Sequence, residues 1–265
     1  MLVGFRIVLV APSGPANIGA VCRALANFGL AELVIVAPRC EPRSEAAVAY
    51  AAHGKAVLDA ARIVADIPTA LAGCVRTYAS SSKLGLYRRQ AAITPAAAAV
   101  EAVALVKAAG GARDERGSVS GSEGPCVAFA FGREDHGLKT EELLHFDRIV
   151  TIPADACYPV LNLAAAVAIV CYELHGAGLA AARQPALPMA LAQDLVGADK
   201  KEVLFAKLFD ALERVGFLFG QNPDHLKYAL RHMFGRLDLT VNEADILIGL
   251  ARQVRWYVDH HPRGK

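Results

Sequence analysis

The sequence lacks the patterns by which cysteines bind metals or cross-link secreted proteins. It contains neither a Cys-X-X-Cys pair nor a Cys/His spacing suited to zinc. We therefore expect no bound metal, and we interpret the six cysteines as reduced and mostly buried. They are scattered along the chain at Cys22, Cys40, Cys74, Cys126, Cys157 and Cys171.

Long apolar runs are also missing, although 54% of the 265 residues are hydrophobic. Much of that fraction is alanine, and polar side chains interrupt every long stretch, as at Glu101, Lys107 and Asn162. No run approaches the ~18 apolar residues of a membrane span. A brief apolar run near the start ends at Pro12 and Gly14. This run is too short for a signal peptide but has the length of a first strand. The sequence therefore predicts a cytoplasmic protein without membrane contact.

A strong excess of charge is absent as well. The net charge is +2 and the pI is near 8.2, values that permit nucleic-acid binding without indicating it. Residues 13–19 contain glycines but neither the GxGxxG of dinucleotide binders nor the Gly-Lys-Ser/Thr of P-loops. The HExxH and GxSxG motifs do not occur either. These absences argue against the enzyme classes that the four motifs mark.

The chain opens with a pattern of strand, helix and strand. Residues 6–11 form an apolar run, and Asn17 follows at the position of a helix N-cap. The helix should end near Phe28 because Gly29 follows it. Residues 32–37 form a second apolar run. This is the length of a βαβ unit, which indicates an α/β fold with a parallel sheet.

Later apolar runs end in polar segments. Residues 127–131 lead into Gly132, and residues 149–152 lead into a loop and then a long apolar helix that begins at Asn162. Ligands of parallel α/β sheets bind at the carboxyl ends of strands. The two loops therefore predict a site for a nucleotide-like ligand. A third polar segment, residues 80–89, carries donors suited to phosphate, although a solvated loop is its ordinary interpretation.

Composition divides the chain into parts. We assign residues 1–177 to one α/β domain, in which residues 110–124 form a flexible, low-complexity loop. Residues 178–197 have the composition of a linker. Residues 198–265 contain three amphipathic helical patterns, which predict a small all-helical extension. The long helix before the linker, which extends to about Gly176, contains few polar residues. Such a composition is typical of a helix that packs against a partner subunit.

Three segments in this order carry a resemblance to a known family. NIGAVCRALANFGL (17–30), FGREDHGL (131–138) and IPADACYPVLNLAAAVAIVCYEL (152–174) resemble the three motifs of the TrmH-type SPOUT RNA 2′-O-ribose methyltransferases. The resemblance covers nearly the whole chain, because the carboxyl-terminal third is similar to the helical extension of tRNA-modifying members.

The resemblance implies a fold that pattern alone would not suggest. It implies a SPOUT-type parallel sheet with helices on both faces and a carboxyl-terminal trefoil knot, where pattern gives an ordinary doubly wound sheet. It also implies a homodimer, S-adenosyl-L-methionine as cofactor and tRNA as partner. The implied activity is methylation of the ribose 2′-hydroxyl of a pyrimidine in the tRNA anticodon loop, at nucleotide 32. Two alternatives stay open: methylation of another RNA such as rRNA, and a non-catalytic RNA-binding SPOUT protein.

The resemblance assigns catalysis to Arg23, Asn17 and Glu134. Arg23 would bind the substrate phosphate and orient the 2′-hydroxyl, because an arginine with a pKa above ~12 is a poor simple base. Glu134 would orient Arg133 and Asn17. On pattern alone Asn17 is an N-cap, Arg23 is a surface arginine, and Arg133 and Glu134 form a surface salt bridge.

The resemblance also assigns residues to the cofactor. The third motif would wrap the adenine, and the lack of a side chain at Gly132 would let the backbone approach the cofactor. The full set is Ser80, Gly132, Ile152, Val160, Leu161, Asn162 and Leu163. Val160 is a departure, because the family usually has serine just before Leu-Asn.

Basic side chains would bind the RNA. In the extension, a solvated helix face is the ordinary alternative to an RNA contact, and an RNA contact would weaken steeply with salt. Lys83 departs from the arginine that close relatives tend to have. The assigned set is Arg133, Lys83, Arg88, Lys227 and Arg231, with Arg252 and Arg255 as further cations of the last helix.

Overall fold

A computed structural model describes residues 2–81, 92–110, 126–182, 195–218, 223–235 and 237–261 of the chain. Within these residues, a parallel sheet of seven strands has helices packed against both of its faces. The α/β class and the parallel sheet predicted from the sequence are confirmed.

The seven strands follow the apolar runs of the sequence closely. They are β1 (Phe5–Val10), β2 (Glu32–Val36), β3 (Arg62–Val64), β4 (Cys74–Ser80), β5 (Ala92–Ile93), β6 (Cys126–Phe131) and β7 (Arg148–Val150). Their order across the sheet is β3-β2-β1-β6-β4-β7-β5, and every pairing is parallel. β1 and β6 are adjacent at the centre, and every residue of both strands is buried.

The helices occupy most of the remaining described chain. They are α1 (Pro15–Asn27), α2 (Glu45–Ala51), α3 (Lys55–Ala60), α4 (Ile67–Leu71), α5 (Pro95–Gly110), α6 (Leu163–Ala182), α7 (Ala198–Arg214), α8 (Pro223–Gly235) and α9 (Val241–His260). Short 3₁₀ turns cover Ala52–Gly54 and Glu142–His145. Thr240 and Glu243 form a capping box at the start of α9, which satisfies its first backbone donors.

Alternate residues of the strands build two hydrophobic cores, one on each face of the sheet. Along β1, Ile7 and Leu9 face a core that α1, α5 and α6 complete. Val8 faces the opposite core, which includes α4 and Tyr228 of α8. The alternation follows from the two-residue period of a strand. The predicted placement of helices on both faces is therefore confirmed.

Two helix boundaries differ from the sequence prediction. Asn17 is not the N-cap of α1: Gly14 occupies that position, because Pro15 begins the helix with a residue that needs no amide partner. α6 continues to Ala182, well past Gly176 and into residues that were assigned to the linker. The remainder of that segment up to 194 lies outside the described residues, so the domain division stays a prediction.

The helical extension packs directly against the sheet. Lys201 on α7 donates to the carboxylate of Asp147 at 2.9 Å, and both side chains are more than nine-tenths buried. Arg76 on β4 is 2% exposed and bonds to the carbonyl of Gly235 and the carboxylate of Asp238. A side chain at Gly235 would overlap the backbone of Asp147. The extension and the sheet therefore share a close, largely buried boundary.

α6 has the length and composition of a membrane-spanning helix, although the sequence predicted no membrane contact. Among the described residues it is the one helix long and apolar enough to cross a bilayer by length and composition. Five of its side chains instead belong to the first core, where α6 packs against α1 and α5. They are Leu163, Val167, Val170, Cys171 and Leu174. With 28% of its most apolar window buried, α6 leaves the absence of membrane contact a prediction.

Candidate functional site

An open cleft of about 800 Å³, including the space at its mouth, lies at the carboxyl ends of β4 and β6. It contains all of the residues that the sequence assigned to the cofactor except Asn162. The lining residues are Ser80, Ser81, Phe131, Gly132, Arg133, Glu134, Asp135, His136, Gly137, Leu138, Ile152, Pro159, Val160, Leu161, Leu163 and Ala166.

Gly132 is required by the turn that follows β6. A Cβ at this position would overlap the backbone of Gly137 and Leu138. The turn is closed by two backbone hydrogen bonds between Arg133 and Gly137, at 3.2 and 2.9 Å. Gly137 has a φ of +68°, which glycine adopts without strain. The absence of a side chain at Gly132 therefore lets the loop close on itself, a different reason from the predicted approach to the cofactor.

Glu134 joins the second motif to the start of α1. Its carboxylate accepts hydrogen bonds from the Ser13 amide at 3.1 Å, the Ser13 hydroxyl at 2.8 Å, the Gly14 amide at 3.0 Å and Asn17 Nδ2 at 3.0 Å. Burial raises its pKa, but the hydrogen bonds from Asn17 and Ser13 outweigh burial and lower the pKa of Glu134 to about 2. Glu134 is therefore a fixed anion and a poor proton acceptor at neutral pH.

Asn162 joins the third motif to the first. Its Nδ2 donates to Asn17 Oδ1 at 3.1 Å, while its Oδ1 accepts from the amides of Ala164 and Ala165. Asn162 therefore caps α6 and holds Asn17 at the same time. It joins two helix starts beside the cleft without lining it, and its contact with the cofactor stays a prediction.

Arg133 has a different partner from the one predicted. Its guanidinium donates to both carboxylate oxygens of Glu142, at 2.9 and 2.7 Å, and 9% of its side chain is exposed. The hydrogen bond to Glu142 and its charge raise the pKa of Arg133 despite burial. Glu134 does not orient Arg133 as expected, because its own carboxylate is held by Ser13, Gly14 and Asn17.

Arg23 lies on the exposed surface of α1 and not in the cleft of its own chain. It follows Asn17 by six residues, which is about 9 Å along the helix and a different side of it. Its guanidinium takes part in none of the ion pairs formed within the described chain. Lys83 and Arg88, the other cations predicted near the cleft, lie outside the described residues.

The two cations assigned to RNA in the extension are internal contacts. Lys227 forms an ion pair with Glu213 at 2.7 Å. Arg231 is 7% exposed, pairs with Glu202, and lies 4.5 Å from the centre of the Phe205 ring. Burial lowers the pKa of Arg231 to about 10. Arg231 is thus enclosed by α7 rather than presented on a solvated helix face, and its assignment to RNA stays a prediction.

Sequence reasoning missed Ser13 and Glu142, which hold Glu134 and Arg133 in place. Ser13 carried a weak signal, because it immediately precedes the glycine at the start of α1. Glu142 carried none, because its pairing with Arg133 depends on the closure of the turn between them. No group of three or more metal-binding side chains occurs in the part of the chain that the structure describes.

A parallel sheet whose strand ends bring three hydrogen-bonded motifs around one cleft is the arrangement expected of the RNA ribose methyltransferases to which the resemblance points, and the matching family confirms this class. The chain matches the SpoU rRNA Methylase family over residues 4–172. It matches the C-terminal domain of the tRNA methyltransferase TrmJ over residues 199–263. The chain belongs to the SpoU methylase family and is an RNA ribose methyltransferase of that family.

Similar proteins support this assignment over the full length. The tRNA (cytidine/uridine/adenosine-2′-O-)-methyltransferase TrmJ of Pseudomonas aeruginosa is 36% identical, over 96% of this chain and 95% of its own. TrmJ of Klebsiella pneumoniae is 34% identical, over 96% of this chain and 97% of its own. The crystal structure of TrmJ from Z. mobilis has a TM-score of 0.73 at 26% identity, and the match covers 94% of this chain and 98% of that one.

Proposed function

We propose that this protein is an S-adenosyl-L-methionine-dependent tRNA ribose 2′-O-methyltransferase acting on a pyrimidine of the anticodon loop, at nucleotide 32. The convergence of the motifs carries the proposal: Asn17 bonds to both Glu134 and Asn162 beside the cleft that holds the other assigned residues. Full-length relatives that are named tRNA 2′-O-methyltransferases support tRNA as the substrate.

The chemistry of the cleft suits the proposed cofactor. Phe131, Leu161 and Leu163 supply apolar walls for a flat base, and Ile152 adds to them. The closed turn at Gly132 presents backbone groups for polar contacts. When bound, S-adenosyl-L-methionine supplies a methyl group on a positively charged sulfur. A cleft that is part apolar and part backbone fits such a ligand.

The residues of the chain then position the ribose hydroxyl and assist loss of its proton. Glu134 cannot accept that proton at neutral pH, because its pKa is about 2 and four donors occupy its oxygens. We assign Arg23 to the substrate phosphate and to polarisation of the 2′-hydroxyl. Well-oriented reactants can gain roughly 7 to 11 kcal/mol from alignment alone, so orientation is the main contribution of the site.

A homodimer is part of the proposal. Arg23 does not line the cleft of its own chain, so the reaction requires a second surface that brings an arginine and a cleft together. Two copies joined near α1 and α6 would do so, and Tyr172 and Leu179 leave apolar surface exposed on α6. The proposal further includes a carboxyl-terminal trefoil knot, a cytoplasmic location and an RNA-binding role for residues 198–265.

The test is transfer of labelled methyl from S-adenosyl-L-methionine to total tRNA. We expect wild-type protein to leave label in 2′-O-methylated dinucleotides that resist alkali. Arg23→Ala should reduce transfer by at least a hundredfold while calorimetry still detects cofactor binding. Arg62→Ala is a matched control, because Arg62 is an exposed arginine on the edge strand β3. Equal transfer by the Arg23 variant and wild type would remove Arg23 from the reaction.

Ribosomal RNA is the second candidate substrate, because the matching family is described as an rRNA methylase family. The same assay with purified rRNA separates the two substrates. Transfer to rRNA alone would replace tRNA in the proposal. Cofactor binding without transfer to either RNA would favour a binding-only protein.

A further inference from the structure

The extension offers a different face to RNA from the one that the sequence suggested. Arg231 is enclosed beside Glu202, and Lys227 forms a partly exposed ion pair with Glu213. The exposed end of α9, in contrast, brings aromatic rings and cations together.

Two pairs of aromatic rings stack at the end of α9. Trp256 stacks with His260, with ring centres 4.6 Å apart and planes 26° apart. Tyr257 stacks with His261, at 4.5 Å and 15°. Nδ1 of each histidine lies within hydrogen-bond distance of the carbonyl of its aromatic partner, at 2.8 and 3.2 Å. Each imidazole is thus held against a neighbouring ring, while Trp256 and Tyr257 remain 50% and 59% exposed.

Cations lie beside the stacks, and ion pairs fix the helix end that carries them. Arg252 is exposed, and none of the ion pairs among the described residues includes it. Arg255 lies 3.8 Å from both Asp210 and Asp259. The same two carboxylates bind Arg214 of α7. The end of α9 is therefore anchored to α7, so its rings are presented from a fixed support.

We propose that this α9 aromatic surface, formed by Arg252, Arg255, Trp256, Tyr257, His260 and His261, binds unpaired nucleotides of the RNA substrate. The inference rests on the proposed function and adds a second contact region to it. Unpaired bases have free faces that stack on aromatic side chains, whereas bases in a duplex are covered by their neighbours. The exposed Arg252 matches a negative phosphate of the same strand, whereas Arg255 serves to hold the end of α9 through Asp210 and Asp259.

The experiment measures tRNA affinity of the full-length protein over a series of salt concentrations. Replacing both rings, Trp256→Ala with Tyr257→Ala, should weaken binding at least tenfold at every salt concentration. The salt dependence should keep its slope, because stacking releases no counterions. Arg252→Ala should instead reduce the slope by about 0.7 to 1. The matched control, Ile246→Ala with Leu250→Ala, removes exposed apolar side chains from the same helix and should bind as wild type does.

The outcomes separate this inference from the proposed activity. Unchanged tRNA affinity in the double ring variant would overturn the inference. A lower molecular mass of that variant than of the wild type in solution would also overturn it, because the rings would then belong to an interface between protein copies. Trp256→Phe with Tyr257→Phe should restore most of the affinity. At saturating tRNA the ring variant should methylate at the wild-type rate with a raised KM. Absence of transfer by the wild type would contradict the proposed activity and leave the binding result to be judged by itself.

Discussion

Loss of the buried ammonium group of Lys201 is expected to destabilise the whole protein. In Lys201→Met the carboxylate of Asp147 would remain buried, with only the amide and hydroxyl of Thr77 as described hydrogen-bond partners. Removing one member of a buried ion pair costs about 3 to 5 kcal/mol, because the remaining charge has lost both water and its counterion. For a chain of this size that corresponds to a fall in Tm of roughly 10 °C.

The neighbouring residue provides the control. Lys200 pairs with Asp245 at 2.7 Å, but 33% and 57% of these side chains are exposed. Lys200→Met should therefore cost less than about 1 kcal/mol. Combining Lys201→Met with Asp147→Asn removes both charges and should recover much of the lost stability.

Urea and thermal unfolding of the wild type and the three variants would check this reasoning. The decisive comparison is between Lys201→Met and Lys200→Met, since the two changes are chemically identical and adjacent in sequence. If both variants unfold at the same urea concentration, the extension does not bury Lys201 against the sheet. If the double variant is less stable than Lys201→Met, the charge of Asp147 has a favourable partner other than Lys201.

Three further predictions concern the cleft. Because the pKa of Glu134 is lowered to about 2, its ionised form stabilises the fold fully above its ordinary pKa near 4.5, and this contribution is lost as the pH falls toward 2. Glu134→Gln should lower stability at pH 7 and flatten that acid limb in unfolding experiments; an unchanged limb would contradict the shift. Gly132→Ala should lower the free energy of unfolding by about 1 to 3 kcal/mol or more, and calorimetry should then detect no cofactor binding. Gly249→Ala, where a Cβ meets open space, should leave the stability unchanged or raise it. Val160→Ser, on a residue 51% exposed at the cleft, should change stability by less than about 0.5 kcal/mol and raise kcat; an unchanged kcat would mean that the missing hydroxyl does not limit the rate.

The strands could be predicted because their signals are local, and the resemblance in three short motifs sufficed to select most of the residues that line the cleft. The apolar run before Gly132 is a buried central strand, and residues at the end of such a strand face the ligand edge of the sheet. Val160, Leu161 and Leu163 are close in sequence, so one loop carries them to the cleft together. These positions required no knowledge of distant contacts.

The failures concern side-chain pairings that depend on how a turn closes or which helices pack together. Arg231 resembled a surface cation on an amphipathic helix, but Glu202 and Phe205 of α7 enclose it. Arg133 was paired with its neighbour Glu134, yet the turn after β6 brings Glu142 to it instead. A helical period predicts which side of a helix is polar, but it does not predict which other helix covers that side.

β4 connects the extension to the cleft within a single strand. Arg76, near its beginning, binds the end of α8 and the segment after it, and Ser80, at its end, lines the cleft. Four residues of strand span about 13 Å, and a paired strand in the middle of a sheet stretches very little. The spacing between the two regions is thus set by a stiff element of fixed length. The contact between Arg76 and the end of α8 is therefore held at a constant distance from the cleft.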